Sequence, residues 1–180
     1  RRRAVRPQAL GGLEADVTDE ALPHFRYHPD PIRTGVVEAS SGVCACCGQA
    51  RGFVYTGPVY GEEELDDRLC PWCIADGSAA ANLGASFADD WALVRAGVAR
   101  EIVEEVNLRT PGFVSWQSEE WLSHCGDACA FHGDISKAEL VGLAGAVVGP
   151  VRQAHGMSDQ EWQDLVGGYE PGGDPALYKF

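Results

Sequence analysis

Cys44 and Cys47 form one C-x-x-C pair, Cys70 and Cys73 form another, and a stretch of short β-prone runs lies between them. A tight knuckle turns the two sulfurs of such a pair to the same side, and Gly48 directly after the first pair suits that knuckle. Two pairs together supply four thiolates, which satisfies a tetrahedral Zn²⁺ and closes its coordination shell against water and substrate. The chemistry this predicts is structural. Iron takes the same four-sulfur shell, and spacing alone does not separate the two metals. Cys46 fits the paired pattern less well and reads as a spare thiol.

A second concentration of reactive side chains follows in SWQSEEWLSHCGDACAFHGD, with His124, Cys125, Asp127, Cys129, His132 and Asp134 set among Trp116, Trp121 and Phe131. A helix over residues 125–132 would bring Cys125, Cys129 and His132 to one face at i, i+4 and i+7. They would then hold a second metal, or place a thiolate beside an imidazole. Gly126 weakens that helix. In the competing reading Asp127 caps a short helix and the cysteines pack as small apolar residues. Packing, a second metal and a catalytic pocket all stay open, with His24 or His28 available to an enzyme only if the N-terminal arm carries them in. Asp76-Gly77-Ser78 reads as a turn capping Ala79–Ala81, and a polar pocket of Asp76, Ser78, His124 and Asp127 is the alternative.

The elements that must position these residues can be read in part. LPHFRYHPDPIRTG, residues 22–35, is broken by three prolines and predicts an extended arm laid on a core. Phe53-Val54-Tyr55, a Gly57-Pro58 turn and Val59-Tyr60 predict a hairpin between the cysteine pairs. Ser86 is placed to cap a helix bearing Phe87, Trp91 and Val94 and ending at Gly97, after which Val98, Ile102 and Val106 continue an apolar stripe to Thr110-Pro111-Gly112. Ser136 with Glu139, and Ser158 with Glu161, are capping boxes flanked by the staple pairs Ile135 with Leu140 and Met157 with Trp162. The first predicts a helix over about 137–148, the second one ending at Gly167-Gly168. Tyr169, Tyr178 and Phe180 should return a C-terminal arm to the body. The fold class expected is α+β: a zinc-ribbon-like β-hairpin module at about 43–75 with a mainly helical remainder. It belongs to one domain over 22–180 behind a flexible tail, residues 1–21.

Charge narrows the function. The chain of 180 residues carries a formal −13, and setting aside Arg1, Arg2, Arg3 and Arg6 leaves −17 on the rest. A body that negative repels phosphate backbones and anionic membranes, so binding to generic nucleic acid is disfavoured. The most apolar stretch, Val141 to Val151, is too short for a bilayer span, and the first residues show no secretory pattern. Clustered cysteines with no secretory signal fit the reducing cytoplasm.

The blocks PHFRYHPDP, CACCG, CPWCIADGSAA, IVEEV with RTPGF and SWQ, and WLSHCGDACAFHGD together resemble the CbrC family of bacterial proteins. That resemblance covers the chain from about residue 22 to 135 and implies a link to colicin tolerance, with no substrate attached. The leading functional expectation is a zinc-stabilised cytoplasmic binding or regulatory protein of unspecified partner, with a tie to stress or toxin tolerance. The alternative is a metal- or thiol-dependent, hydrolase-like enzyme using the His124 to Asp134 cluster.

Overall fold

The computed structural model describes residues 21–115, 120–143 and 145–180. The expected tail, apart from Ala21, and the segment with Trp116 and Gln117 lie outside the described residues.

Prolines at 23, 29 and 31 keep the N-terminal arm out of helix, and Phe25, Tyr27 and His28 are buried along it. The arm ends where the Pro31 carbonyl accepts hydrogen bonds from the Val36 and Val37 amides. Strand β1, Val37–Ala39, then pairs antiparallel with β2, Phe53–Tyr55, in the register Val37 to Tyr55. This corrects the expected hairpin: β2 pairs with a strand before the first cysteine rather than with Val59-Tyr60. Pro58 has no N–H to give a ladder and its carbonyl is taken by the Tyr55 hydroxyl at 2.9 Å, so the chain turns away. Tyr55 bridges to Leu69 and Tyr60 to Ser86 instead.

Among the described residues seven helices follow or separate these strands, which makes the fold mixed α+β with a helical remainder. Helices α1, Pro71–Ala75, and α2, Ser78–Leu83, are short and follow the second cysteine pair. The expected helix from Ser86 begins later. Ser86 exchanges both backbone hydrogen bonds with Tyr60, and Asp89 accepts from the Trp91 amide at 2.8 Å to open α3, Trp91–Arg95. The later start rotates the register, so Leu93 is buried whereas Trp91 and Val94 are 54% and 58% exposed. Gly97 ends α3 as expected, and α4, Arg100–Arg109, buries Val103 and Val106.

After residue 120, β3, Ser123–His124, and β4, Asp127–Ala128, form a two-residue-turn hairpin. Both capping boxes are present with both of their hydrogen bonds, at the starts of α5, Lys137–Gly142, and α7, Asp159–Gly168. The single helix expected over 137–148 is divided: α5 ends at Gly142 and α6, Gly145–Ala154, restarts after the break. Glycines at 142 and 145 have low helix propensity, which weakens continuity there. The C-terminal arm returns as expected, with Tyr169 buried, Tyr178 bridged to Asp134, and Tyr178 and Phe180 against a buried aromatic cluster.

Two apolar cores result. The first gathers Phe25, Val36, Val37, Tyr55, Leu69, Ile74 and Phe87 with Cys44, Cys70 and Cys73. The second gathers Tyr27, Leu93, Val106, Phe113, Trp121 and Phe131. Among the described residues no helix is long and apolar enough to cross a membrane.

Candidate metal centre

The first knuckle is tied at both ends. Gly48 takes a left-handed φ of 69°, its amide donates to the Cys44 carbonyl at 2.8 Å, and the Cys44 amide donates to Gln49. The Ala45 amide donates to the Arg68 carbonyl, which draws the knuckle onto the chain just before the second pair. Cys70 sits at the N-cap of α1 with Pro71 in the first turn, and Cys73 lies one turn on, so the helix start aims both thiols the same way.

The result is a quartet. The Sγ atoms of Cys44, Cys47, Cys70 and Cys73 all lie within 4.8 Å of one another, Cys44 to Cys73 and Cys47 to Cys70 both at 3.9 Å. A tetrahedral ion with metal–sulfur bonds of about 2.3 Å holds its sulfurs roughly 3.8 Å apart, so the four thiols fit such an ion. Three of the four are buried, Cys47 is half-buried, and the Cys70 amide donates to Cys44 Sγ at 3.3 Å. All seven cysteines of the chain are free.

Proximity sets these thiols against one another. A hydrogen bond from the Cys70 thiol holds Cys44 well below the ordinary thiol range, and that same bond pushes Cys70 up. Burial pushes the Cys73 thiol up. A divalent cation at the centre would reverse this preference and favour joint ionisation. Four closely spaced thiols are thus able to hold a metal ion. Cys46 points elsewhere, with Ser78 Oγ at 3.5 Å and Asn82 Nδ2 at 3.9 Å, and is not part of the quartet. Spacing gave no sign of the two α2 partners. The Asp76 turn forms, its Oδ1 accepting from the Ser78 amide at 2.8 Å, but the cap position of α2 is Gly77 and neither Asp76 nor Ser78 supplies a side-chain cap.

The second cluster is not a helix face. Cys125 and Gly126 form the tip of the β3–β4 hairpin with φ of 54° and 78°, so Cys125, Cys129 and His132 do not share the predicted face. Cys125 is exposed, 4.0 Å from His124 Nε2, and Cys129 is half-buried. Asp127 neither caps a helix nor meets Asp76 and Ser78. It accepts from Arg26 at 2.5 Å and from the Tyr27 hydroxyl at 2.8 Å, two arm residues that sequence spacing did not single out. His24 is exposed, while His28 is fully buried, with Nδ1 on the Pro111 carbonyl and Nε2 on Thr34. Among the described residues, the only group of three or more potential ligands able to meet at one ion is the cysteine quartet.

A family described as "Uncharacterised protein family (UPF0167)" matches residues 22–180. The chain belongs to the UPF0167 family. A UPF0167 protein of Pseudomonas aeruginosa is 54% identical over 160 residues, covering 88% of this chain and 89% of that relative. UPF0167 proteins of Mycobacterium bovis and Mycobacterium tuberculosis are each 50% identical over 135 residues, covering 75% of this chain and 72% of theirs. No solved structure matches the chain. The family description fits the expectation of a bacterial family without an assigned activity, and it does not carry the CbrC name.

Proposed function

We propose that this UPF0167 protein is a zinc-stabilised binding or regulatory protein of the reducing cytoplasm, with Cys44, Cys47, Cys70 and Cys73 as the ligands of one structural ion. The observation that carries the reading is the quartet itself: four sulfurs within 4.8 Å, three of them buried in the first core. Zinc bound there supplies a crosslink between the knuckle and the start of α1. The protein's part is to hold the thiols: Gly48 shapes the knuckle, Pro71 starts the helix, and the Cys70 amide supports the Cys44 sulfur. With four sulfurs the shell has no open position, which favours a structural over a catalytic ion.

Seven free cysteines support the cytoplasmic assignment, since exposed thiols such as Cys125 survive in a reducing compartment. The residual −17 outside the N-terminal arginines favours a protein or small-molecule partner over nucleic acid. The likeness to the CbrC family adds a setting, stress or toxin tolerance. The hydrolase alternative gains no support, because Asp127 is engaged by Arg26 and Tyr27 and the His124–Cys125 pair sits on an exposed turn.

Elemental analysis of the reduced, purified chain tests the reading. One zinc per chain is expected, lost in Cys44→Ser and in Cys73→Ser and kept in Cys46→Ser. A metal-free wild type, or retention of metal in both ligand variants, sinks it.

A further inference from the structure

A cavity of about 540 Å³ lies on the second core, lined by Arg33, Thr34, Phe113, Phe131, Asp134 and Tyr178 among others. Its size is that of a small-molecule site. One wall is aromatic: the Phe113 and Phe131 rings are stacked at 4.2 Å and 14°, and Tyr178 packs on them at 5.3 and 5.7 Å. Another wall is charged. Asp134 and Tyr178 are directly opposed in an antiparallel bridge, which puts their side chains on the same side of the backbone. The Tyr178 hydroxyl is committed to the Val114 carbonyl at 3.1 Å; the Asp134 carboxylate has the Gly172 amide as a backbone partner, whereas its Oδ1 is sealed from solvent and has no hydrogen-bond donor among the described residues.

We infer that this cavity binds a small organic amine, its N–H groups completing the Asp134 carboxylate and its apolar body resting on Phe113, Phe131 and Tyr178. A buried carboxylate oxygen without a donor is unfavourable, and a cationic donor removes both the missing hydrogen bond and the unpaired charge. Because Oδ1 is sealed in the structure, the inference requires a rotation of the Asp134 carboxylate that brings this oxygen to the cavity, and the torsion that sets a carboxylate's plane is broad enough to allow it. Arg33 does not already fill this role: its Nε donates to Asp30 and its Nη2 to the His132 carbonyl. The one cation named in the lining, Arg33, is paired with Asp30; the acidic body raises the local concentration of cations and opposes anions, and aromatic faces add a cation–π attraction. Of the residues that build the cavity, Asp134 and Phe131 belong in the sequence to the second Cys/His cluster and Tyr178 to the returning C-terminal arm.

This inference rests on the reading of the chain as a binding protein and not on the metal. Its test is calorimetric titration of the full chain with phenethylamine and, separately, phenylacetate, with zinc content measured in the same samples. Phenethylamine is expected to bind about tenfold tighter than phenylacetate, and Asp134→Asn to lose about tenfold in amine affinity. Backbone amide shifts of the wild type should move at Gly133, Gly172 and Tyr178, a readout that survives if the variant fails to fold. Equal affinity for the two probes, no saturable amine binding, undiminished binding in Asp134→Asn, or shifts confined to another surface would each overturn the proposal. Any of these with zinc intact leaves the metal reading standing.

Discussion

His28 shows how one buried side chain makes stability depend on pH. The Pro111 carbonyl can only accept, so Nδ1 carries the proton at 2.8 Å and Nε2 accepts from the Thr34 hydroxyl at 2.6 Å. The ring meets Phe131 edge-on at 5.1 Å. Burial drives its pKa down to about 4, assisted by Arg33 and His132 and opposed by the Pro111 hydrogen bond and Asp30. Above about 6.5 the ring is neutral folded and unfolded; between about 6.5 and 4 only the unfolded chain takes the proton. Stability is therefore present at neutral pH and lost as pH falls through that window, by at most about 3 kcal/mol. Urea unfolding at stepped pH should show the loss, and the His28 ring resonance should hold still down to pH about 5. A ring that titrates at the ordinary histidine value would contradict this. Nothing in the sequence announced it, because the acceptor is 83 residues away. The cysteine quartet was legible for the opposite reason: each pair's geometry is set within four residues.

At the scale of elements the same distinction holds. Capping boxes at Ser136 and Ser158 are local grammar, and both were readable and are formed. The partner of β2 depends on a strand 16 residues upstream, so the short runs between the cysteines suggested the wrong hairpin. Helix register failed at Ser86 because a tertiary bridge to Tyr60 took the backbone groups a cap would have used. The β3–β4 tip was misread because cysteine and histidine spacing imitates helical periodicity, while its true signal is a Cys-Gly pair in left-handed conformation. Such a two-residue turn prefers Asn-Gly, and a non-glycine residue there costs roughly 1 kcal/mol. Cys125 is exposed and gives up little packing. Cys125→Asn should accordingly raise stability by about 0.5 kcal/mol and Cys125→Val lower it by about 1 kcal/mol, read from denaturant midpoints. A loss in the asparagine variant equal to that of valine would exclude the turn.

Among the described residues the two cores are joined at identifiable places, and those joins decide how the molecule would respond to loss of the ion proposed for the cysteine quartet. Tyr55 belongs to the first core, its ring set edge-on to Phe87 at 5.5 Å, and its hydroxyl accepts from the Gly112 amide at 3.0 Å. Gly112 passes so close to the Phe87 carbonyl that a Cβ there would overlap it, and Phe113 beside it opens the second core. The arm adds a second join, with Phe25 in one core and Tyr27 in the other. Structural zinc contributes about 10–16 kcal/mol in small zinc peptides, as much as the whole net stability of an ordinary domain, so chelation should unfold the first core outright. Loss of Tyr55 and Phe25 then strips the second core of its anchors, and residues 22–180 should respond as one cooperative unit. Hydrogen exchange under chelator and reductant checks this through Trp121, whose indole N–H is held by the Cys129 carbonyl at 2.8 Å. Its protection should vanish together with that of the β1–β2 amides. If Trp121 stayed protected while β1 and β2 exchanged freely, the second core would be an independent unit and the metal a staple for the first alone.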